Sequence, residues 1–146
     1  LNTMSVNLKM ACHMFAQHQI QPVFEMINGT DMPSFLIQNI AQAQEMLEAV
    51  QIPALKMQYD CYHMAMMGED VMHALKENID WIGHIQFADC PGRHQPDTAQ
   101  IEFADMFKWL DQSSYTGFIA AEYKPQSHSS QSFAWKEKYF PSKHTH

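Results

Sequence analysis

The chain repeats one plan: a short apolar run, typical of a buried β-strand, followed by a segment with the spacing of an amphipathic helix. The apolar runs cover residues 22–27, 55–59, 81–87 and 118–121, and the helical patterns cover 8–18, 34–50, 70–78 and 103–110. Strands that alternate with helices usually form parallel sheets. The sequence therefore predicts an α/β fold with four parallel βα units, in which Ser34 caps the helix that follows the first strand.

No linker is long enough to split the chain into two domains, so residues 1–146 are expected to form a single domain. The last segment, residues 126–146, is polar with scattered aromatic residues. We expect this tail to wrap the surface of the domain, with Phe133 and Trp135 docking against it.

Composition excludes several classes of function. The formal net charge is −7, which does not suit binding to a phosphate backbone, so no nucleic-acid partner is expected. Three cysteines without a C-x-x-C pair favour a reducing compartment, and we expect a cytoplasmic protein. No run of eighteen apolar residues occurs, so no membrane span is expected. The chain also lacks a G-x-G-x-x-G motif and a P-loop, which argues against dinucleotide and nucleotide-phosphate sites.

A polar residue with a side-chain oxygen stands at or near the end of every predicted strand. These residues are Glu25, Asp60, Gln86 and Glu122. Sites in parallel α/β folds form where the carboxyl ends of the strands meet, so we expect the four side chains to converge. Carboxylate and amide oxygens suit a hard cation, and the predicted cofactor is Mg²⁺ or Mn²⁺.

Three further residues lie near this edge of the predicted sheet. His63 follows Asp60 by three positions and is a candidate substrate contact. Arg93 lies in the loop after the third strand, where its planar guanidinium could hold an anionic substrate. His84 lies two residues before Gln86 and should share its face of the strand. Cys61 and Cys90 are interpreted as packing residues.

Four stretches together resemble the hydroxypyruvate isomerase family: VFEMIN, LKMQYDCYHM, GHIQFADCPGRHQP and AAEYKP. That family belongs to the xylose isomerase-like TIM barrels, alongside the 2-oxo-tetronate isomerases and keto-sugar epimerases. The resemblance implies an isomerase that interconverts hydroxypyruvate and 2-hydroxy-3-oxopropanoate (tartronate semialdehyde), in glyoxylate metabolism. The reaction would move a proton between adjacent carbons through an enediolate, assisted by a metal ion.

The same resemblance implies roles for individual residues. Glu25, Asp60, Gln86 and Glu122 match the positions that hold the divalent cation, and Glu25 and Glu122 also match the catalytic acid–base pair. His63 and Arg93 match substrate-binding positions.

The chain departs from the family pattern in its loops. Many relatives read INTRDxPG after the first Glu, whereas this chain has INGTDMPS. Thr30 therefore replaces an arginine and Ser34 replaces a glycine. Gln100 also stands where an acidic residue is common.

The larger departure is length, since a (β/α)₈ barrel needs about 250 residues. The 146 residues supply the C-terminal half of such a barrel, beginning inside a helix. Half a barrel would leave two unpaired strand edges and an uncovered face, expected to be apolar. A second copy or the missing N-terminal half are the candidate partners.

Other functions remain open on the same residues. A 2-oxo-tetronate isomerase or a keto-sugar epimerase would use the same proton-transfer residues. An inactive remnant would keep the ligands without turnover. An endonuclease IV-like module would need histidine-rich zinc ligands and a basic face, which the net charge of −7 argues against.

Overall fold

The computed structural model describes residues 2–141 and has one parallel sheet with helices packed on one side. Within these residues the helices are α1 (Asn2–Ala16), α2 (Ile40–Val50), α3 (Cys61–Met66), α4 (Val71–Asn78), α5 (Phe103–Gln112) and α6 (Ala134–Tyr139). The strands are β1 (Val23–Glu25), β2 (Lys56–Asp60), β3 (Ile82–Phe87) and β4 (Phe118–Ala121). Short 3₁₀ turns lie at Ile79–Trp81 and Ser129–Gln131.

The sheet follows chain order, β1-β2-β3-β4, and every neighbouring pair of strands is parallel. This confirms the predicted α/β fold. Each strand reaches the next through a helical connection, as parallel pairing requires. Among the described residues, β1 and β4 each pair on one side only.

Alternating strand residues point to opposite faces of the sheet, and the two faces differ in chemistry. One face carries apolar side chains buried beneath the helices: Phe24, Met57, Tyr59, Ile85 and Phe87. The opposite face carries Glu25, Gln58, His84 and Gln86, which are half-buried. The expectation that the uncovered face is apolar was therefore wrong for these positions, although Phe118 on the edge strand β4 is 84% exposed.

The helix after β1 begins later than predicted. Asn39 is its N-cap and accepts a hydrogen bond from the Gln42 backbone N–H, while Ser34 has a φ of 70° and does not cap it. The intervening segment folds back on the strand instead, because the carbonyl of buried Ile37 accepts from the Ile27 N–H at 3.1 Å.

Two other helices test the predictions. The helix at 70–78 is confirmed, with Asp70 as its N-cap. Helix α3 was missed, although Asp60 caps it by accepting from the Tyr62 N–H at 2.9 Å. Since Asp is a favoured N-cap residue, the step from Asp60 to Cys61 was the available signal.

The tail is only partly as expected. Trp135 packs edge-on against Phe87, with ring centroids 5.3 Å apart, so its docking is confirmed. Phe133 is 51% exposed, so the prediction that it docks was wrong. It immediately precedes α6, which turns Trp135 and Tyr139 toward the core. Residues 142–146 of the predicted tail lie outside the described residues.

No helix in residues 2–141 is long and apolar enough to cross a membrane.

Candidate functional site

The carboxyl ends of the four strands bring the predicted ligands to one edge of the sheet. Asp60 and Gln86 are register partners on β2 and β3. Glu25 ends β1, opposite Gln58. Glu122 follows β4, and its N–H continues the ladder by donating to the Phe87 carbonyl at 3.0 Å. The parallel ladder therefore explains why residues far apart in sequence share this edge.

Glu25, Asp60 and His63 form a compact group whose potential ligand atoms all lie within 4.8 Å of one another. His63 Nε2 lies 3.8 Å from Glu25 Oε1 and 3.8 Å from Asp60 Oδ2. These separations are too long for hydrogen bonds, so an atom placed between the three groups could contact all of them.

Glu25 supplies the observation that best tests whether a cation fits. Its Oε1 is buried and has no hydrogen-bond partner in the described structure. A buried carboxylate oxygen without a partner is costly, and a cation would compensate it. Oxygen donors of this kind suit Mg²⁺ or Mn²⁺, so the residues present fit a hard divalent ion.

Gln86 joins this group through a neighbouring amide. Its Oε1 accepts a hydrogen bond from Gln58 Nε2. Gln58 precedes Asp60 by two positions and shares its face of β2, and Gln86 is the register partner of Asp60, so the two glutamines are diagonal neighbours across the strands. His84, also on β3, is the register partner of Gln58.

Arg93 connects Glu122 to the rest of the group. Its Nη2 donates to Glu122 Oε2 at 2.7 Å and to Asp60 Oδ2 at 3.4 Å. The guanidinium also lies over the Tyr62 ring, 5.0 Å from the centroid. The structure therefore places Arg93 against two of the predicted ligands.

Burial is the largest cause of the pKa shifts of two carboxyl groups at this site, Asp60 and Glu25. Burial raises the pKa of Asp60 to about 7, although the Tyr62 N–H and the Arg93 charge oppose the shift. Burial also raises the pKa of Glu25, and the Gln58 amide opposes this. Without a cation, both carboxyl groups bind protons more readily than they would in water.

His63 shifts in the direction expected for a buried base. Burial, with the nearby Arg93 charge, lowers the pKa of His63 to about 4. Its ring is therefore neutral near pH 7, and a neutral ring can donate from only one of its two nitrogens.

Buried polar residues around the site were missed by the sequence reasoning. Asn28 is fully buried and contacts the His63 ring, and Asp31 accepts hydrogen bonds from Asn28 and Tyr62. The available signal was Asn28 itself, a polar residue soon after a strand in VFEMIN. The packing interpretation of Cys61 and Cys90 agrees with their burial.

Comparison with known proteins assigns the fold to a family. The sequence model of the family described as Xylose isomerase-like TIM barrel matches residues 1–139. This chain belongs to the xylose isomerase-like TIM barrel family. The resemblance inferred from the four sequence stretches is thereby confirmed.

Individual relatives of this xylose isomerase-like chain are similar over nearly its whole length. Hydroxypyruvate isomerase of Escherichia coli (strain K12) is 35% identical over 137 residues, covering 94% of this chain and 53% of the relative. 2-Oxo-tetronate isomerase of Cupriavidus necator is 35% identical over 133 residues, covering 91% and 51%. The crystal structure of a protein named AP endonuclease, family 2, from Brucella melitensis superposes with a TM-score of 0.90 at 28% identity, covering 94% of this chain and 54% of that one.

The chain spans about half the length of the curated relatives it matches. Its four parallel strands accordingly form half of a TIM barrel.

Proposed function

We propose that this chain carries the metal and proton-transfer residues of an isomerase that interconverts hydroxypyruvate and 2-hydroxy-3-oxopropanoate. The carrying observation is the close approach of the Glu25 and Asp60 carboxylates beside His63, in which Glu25 Oε1 is buried and has no hydrogen-bond partner among the described residues. The 35% identity to a hydroxypyruvate isomerase supports the choice of substrate class.

In this proposal Glu25, Asp60, Gln86 and Glu122 hold a divalent cation, Mg²⁺ or Mn²⁺. When bound, the ion would supply Lewis-acid stabilisation of the negative charge that develops on the substrate oxygens. Glu122 and Arg93 lie within hydrogen-bonding distance of each other, so ligand and substrate groups would share this edge of the sheet.

Proton transfer is assigned to Glu25 and Glu122. One carboxylate removes a proton from C3 of hydroxypyruvate, and the electron pair left behind forms the enediolate. A proton is then delivered to C2, while the hydroxyl proton on the C3 oxygen moves to the C2 oxygen, so the atoms balance. A carboxylate can both accept and return a proton in such a step when it lies within hydrogen-bonding reach of the reacting carbon.

Arg93 and His63 are assigned to the substrate. The Arg93 guanidinium can form two parallel hydrogen bonds to the substrate carboxylate. His63 directs its Nε2 toward the gap between Glu25 and Asp60, where a substrate oxygen could receive a hydrogen bond.

The decisive experiment is Mn²⁺ binding by calorimetry, followed by turnover of hydroxypyruvate. We expect one Mn²⁺ bound per chain, and a Kd for Mn²⁺ that is at least tenfold higher in Glu25→Gln. Glu48→Gln is the matched control, since Glu48 is an exposed glutamate on α2. Unchanged binding in Glu25→Gln, with the fold intact, would contradict the assigned metal site.

A 2-oxo-tetronate isomerase is the second candidate, because the identity to that relative is also 35%. The two candidates share the ligands and the carboxylate pair, so only substrate length separates them. Comparing kcat/KM for hydroxypyruvate with kcat/KM for four-carbon 2-oxo acids and for keto-sugars distinguishes them. A preference for the longer substrates would select the second candidate or a keto-sugar epimerase.

A DNA-repair activity is not favoured, despite the name of the Brucella melitensis protein. The net charge of −7 opposes binding to phosphates, and oxygen donors outnumber nitrogen donors at the candidate metal site. Binding of duplex DNA at moderate salt would overturn this preference.

Completion of the barrel is also part of the proposal. Further βα units, from a longer chain or from a second copy, would cover the polar face of the sheet and the sides of β1 and β4 that pair with no strand within residues 2–141. Light scattering on the purified protein gives its mass, and a dimer would indicate that a second copy of this chain supplies the further units. A monomer that binds Mn²⁺ would show that the strand ends converge without further units.

A further inference from the structure

The His63 ring is held from one side by a single buried residue. Asn28 Nδ2 lies 2.6 Å from His63 Nδ1, and the Asn28 backbone N–H donates to the same nitrogen at 3.4 Å. Both residues are almost completely buried. The nitrogen of the ring that faces away from the candidate metal site is thus contacted by two N–H groups.

The orientation of the Asn28 amide is set by its other contacts. Asn28 Oδ1 accepts from the backbone N–H groups of Thr30 at 3.1 Å and Asp31 at 2.8 Å. Asn28 Nδ2 donates to Asp31 Oδ2 at 3.1 Å. A flipped amide would place a donor against two N–H groups and an acceptor against a carboxylate, so the observed orientation is the one that satisfies every group.

This orientation determines which ring nitrogen carries the proton. A nitrogen that accepts from N–H donors must present its lone pair, so His63 Nδ1 is unprotonated and the proton resides on Nε2. Nε2–H then points toward the gap beside Glu25 Oε1 and Asp60 Oδ2, 3.8 Å from each. A nitrogen that carries a proton cannot also ligate a metal ion.

We propose that Asn28 is a positioning residue that keeps His63 in the Nε2–H tautomer, so that His63 enters the site as a hydrogen-bond donor and not as a metal ligand. This deepens the proposed function and rests on it for the identity of the acceptor, a substrate oxygen. The tautomer itself follows from Asn28, Thr30 and Asp31 and needs neither metal nor substrate.

The test is a long-range ¹H–¹⁵N correlation spectrum of the ¹⁵N-labelled, metal-free protein at pH 7.5. His63 is assigned by comparison with His63→Gln. We expect a pyridine-type signal from Nδ1 and a pyrrole-type signal from Nε2. The reverse assignment in the unsubstituted protein overturns the proposal, and this arm requires no variant at Asn28.

Asn28→Asp removes the side-chain donor while keeping its size. We expect Nδ1 to become protonated, so that its pyridine-type signal disappears. Asn78→Asp is the matched control: Asn78 is also buried, and it bonds to Gln44 and to the Ala74 carbonyl, away from the site. Its His63 signals should be unchanged. A folded Asn28→Asp protein with unchanged His63 signals contradicts the role of Asn28.

Pulsed electron paramagnetic resonance of the Mn²⁺-loaded protein separates this proposal from the proposed function. We expect no ¹⁴N coupling from a directly bound imidazole. Clear coupling that is lost in His63→Gln would overturn the donor role of His63. If the unsubstituted protein does not bind Mn²⁺ but its NMR spectrum shows the Nε2–H tautomer of His63, the metal proposal fails and the Asn28 inference stands.

Discussion

The Arg93 guanidinium lies 2.7 Å from Glu122 Oε2, and it reaches Asp60 Oδ2 at 3.4 Å from the same nitrogen. One cationic side chain thus bridges carboxylates from two different strand ends. Arg93 has a φ of 56°, a left-handed backbone conformation that is uncommon for arginine, and its carbonyl accepts from the Lys124 N–H at 2.7 Å. The loop therefore holds this guanidinium over the ligands from a backbone that is itself paired with the segment after β4.

Replacing Arg93 by alanine should affect metal and substrate in opposite directions. Removing the positive charge of the Arg93 side chain from beside the metal ligands should tighten Mn²⁺ binding. Loss of its hydrogen bonds to a carboxylate substrate should raise KM by about 10–100-fold, on the scale of a charge-assisted hydrogen bond. Calorimetry and steady-state kinetics measure the two effects. Lys138→Ala is the control, because Lys138 pairs with Asp97 at the exposed surface. An unchanged KM in Arg93→Ala would exclude Arg93 from substrate binding.

The pH dependence of metal binding should follow the loss of protons from Asp60 and Glu25. The pKa of Asp60 is raised to about 7, and that of Glu25 is also raised, so protons must leave before a cation can bind. We expect the Mn²⁺ Kd to fall between pH 6 and pH 8, with protons released on binding. Calorimetry in two buffers of different ionisation enthalpy counts these protons. A Kd that is independent of pH over this range would argue against Asp60 as a ligand.

The stability of the metal-free protein should depend on Asp60 and His63 with opposite signs. The raised pKa of Asp60 gives a contribution that is present below about pH 4 and is lost as the pH rises through about 7. The lowered pKa of His63 gives a contribution that is present above about pH 6.5 and is lost as the pH falls through about 4.

Denaturant unfolding from pH 4 to pH 8 measures this dependence. Asp60→Asn should remove the loss of stability on the alkaline side, and His63→Gln should remove the loss on the acid side. Identical pH profiles for the two variants would contradict these assignments.

Asp89 should anchor the loop that carries Arg93. It is buried, and its carboxylate accepts hydrogen bonds from five backbone N–H groups. The donors are Cys90, Thr98, Ala99, Gln100 and Ile101, at 2.8–3.0 Å. Asp89→Asn would turn one acceptor oxygen into a donor facing N–H groups, so we expect a loss of about 2–3 kcal/mol in unfolding free energy.

Hydrogen exchange at residues 98–101 should accelerate in Asp89→Asn. Asp105→Asn, on the exposed side of α5, is the matched control and should change stability by less than about 0.5 kcal/mol. Unaltered exchange in Asp89→Asn would show that the loop is held by other contacts.

Local patterns in the sequence predicted the architecture well. The run 118–121 coincides with β4, and the helix predicted at 70–78 corresponds to α4, because hydrophobic periodicity acts over a few residues. The start of α2 was wrong, since the Ile27–Ile37 hydrogen bond competes with helix formation across ten positions. A contact of that kind leaves no periodic trace in the sequence.

The candidate site likewise depends partly on local sequence and partly on tertiary structure. The sequence by itself determined which polar residues stand at the strand ends, because strand length and chain order place Glu25, Asp60, Gln86 and Glu122 at one edge of a parallel sheet. Only the tertiary structure decided how buried each carboxyl group is, that Arg93 bridges two of them, and that Asn28 contacts His63 across 35 positions. Burial and hydrogen-bond direction depend on what the folded chain packs around each group, and these surroundings come from distant segments.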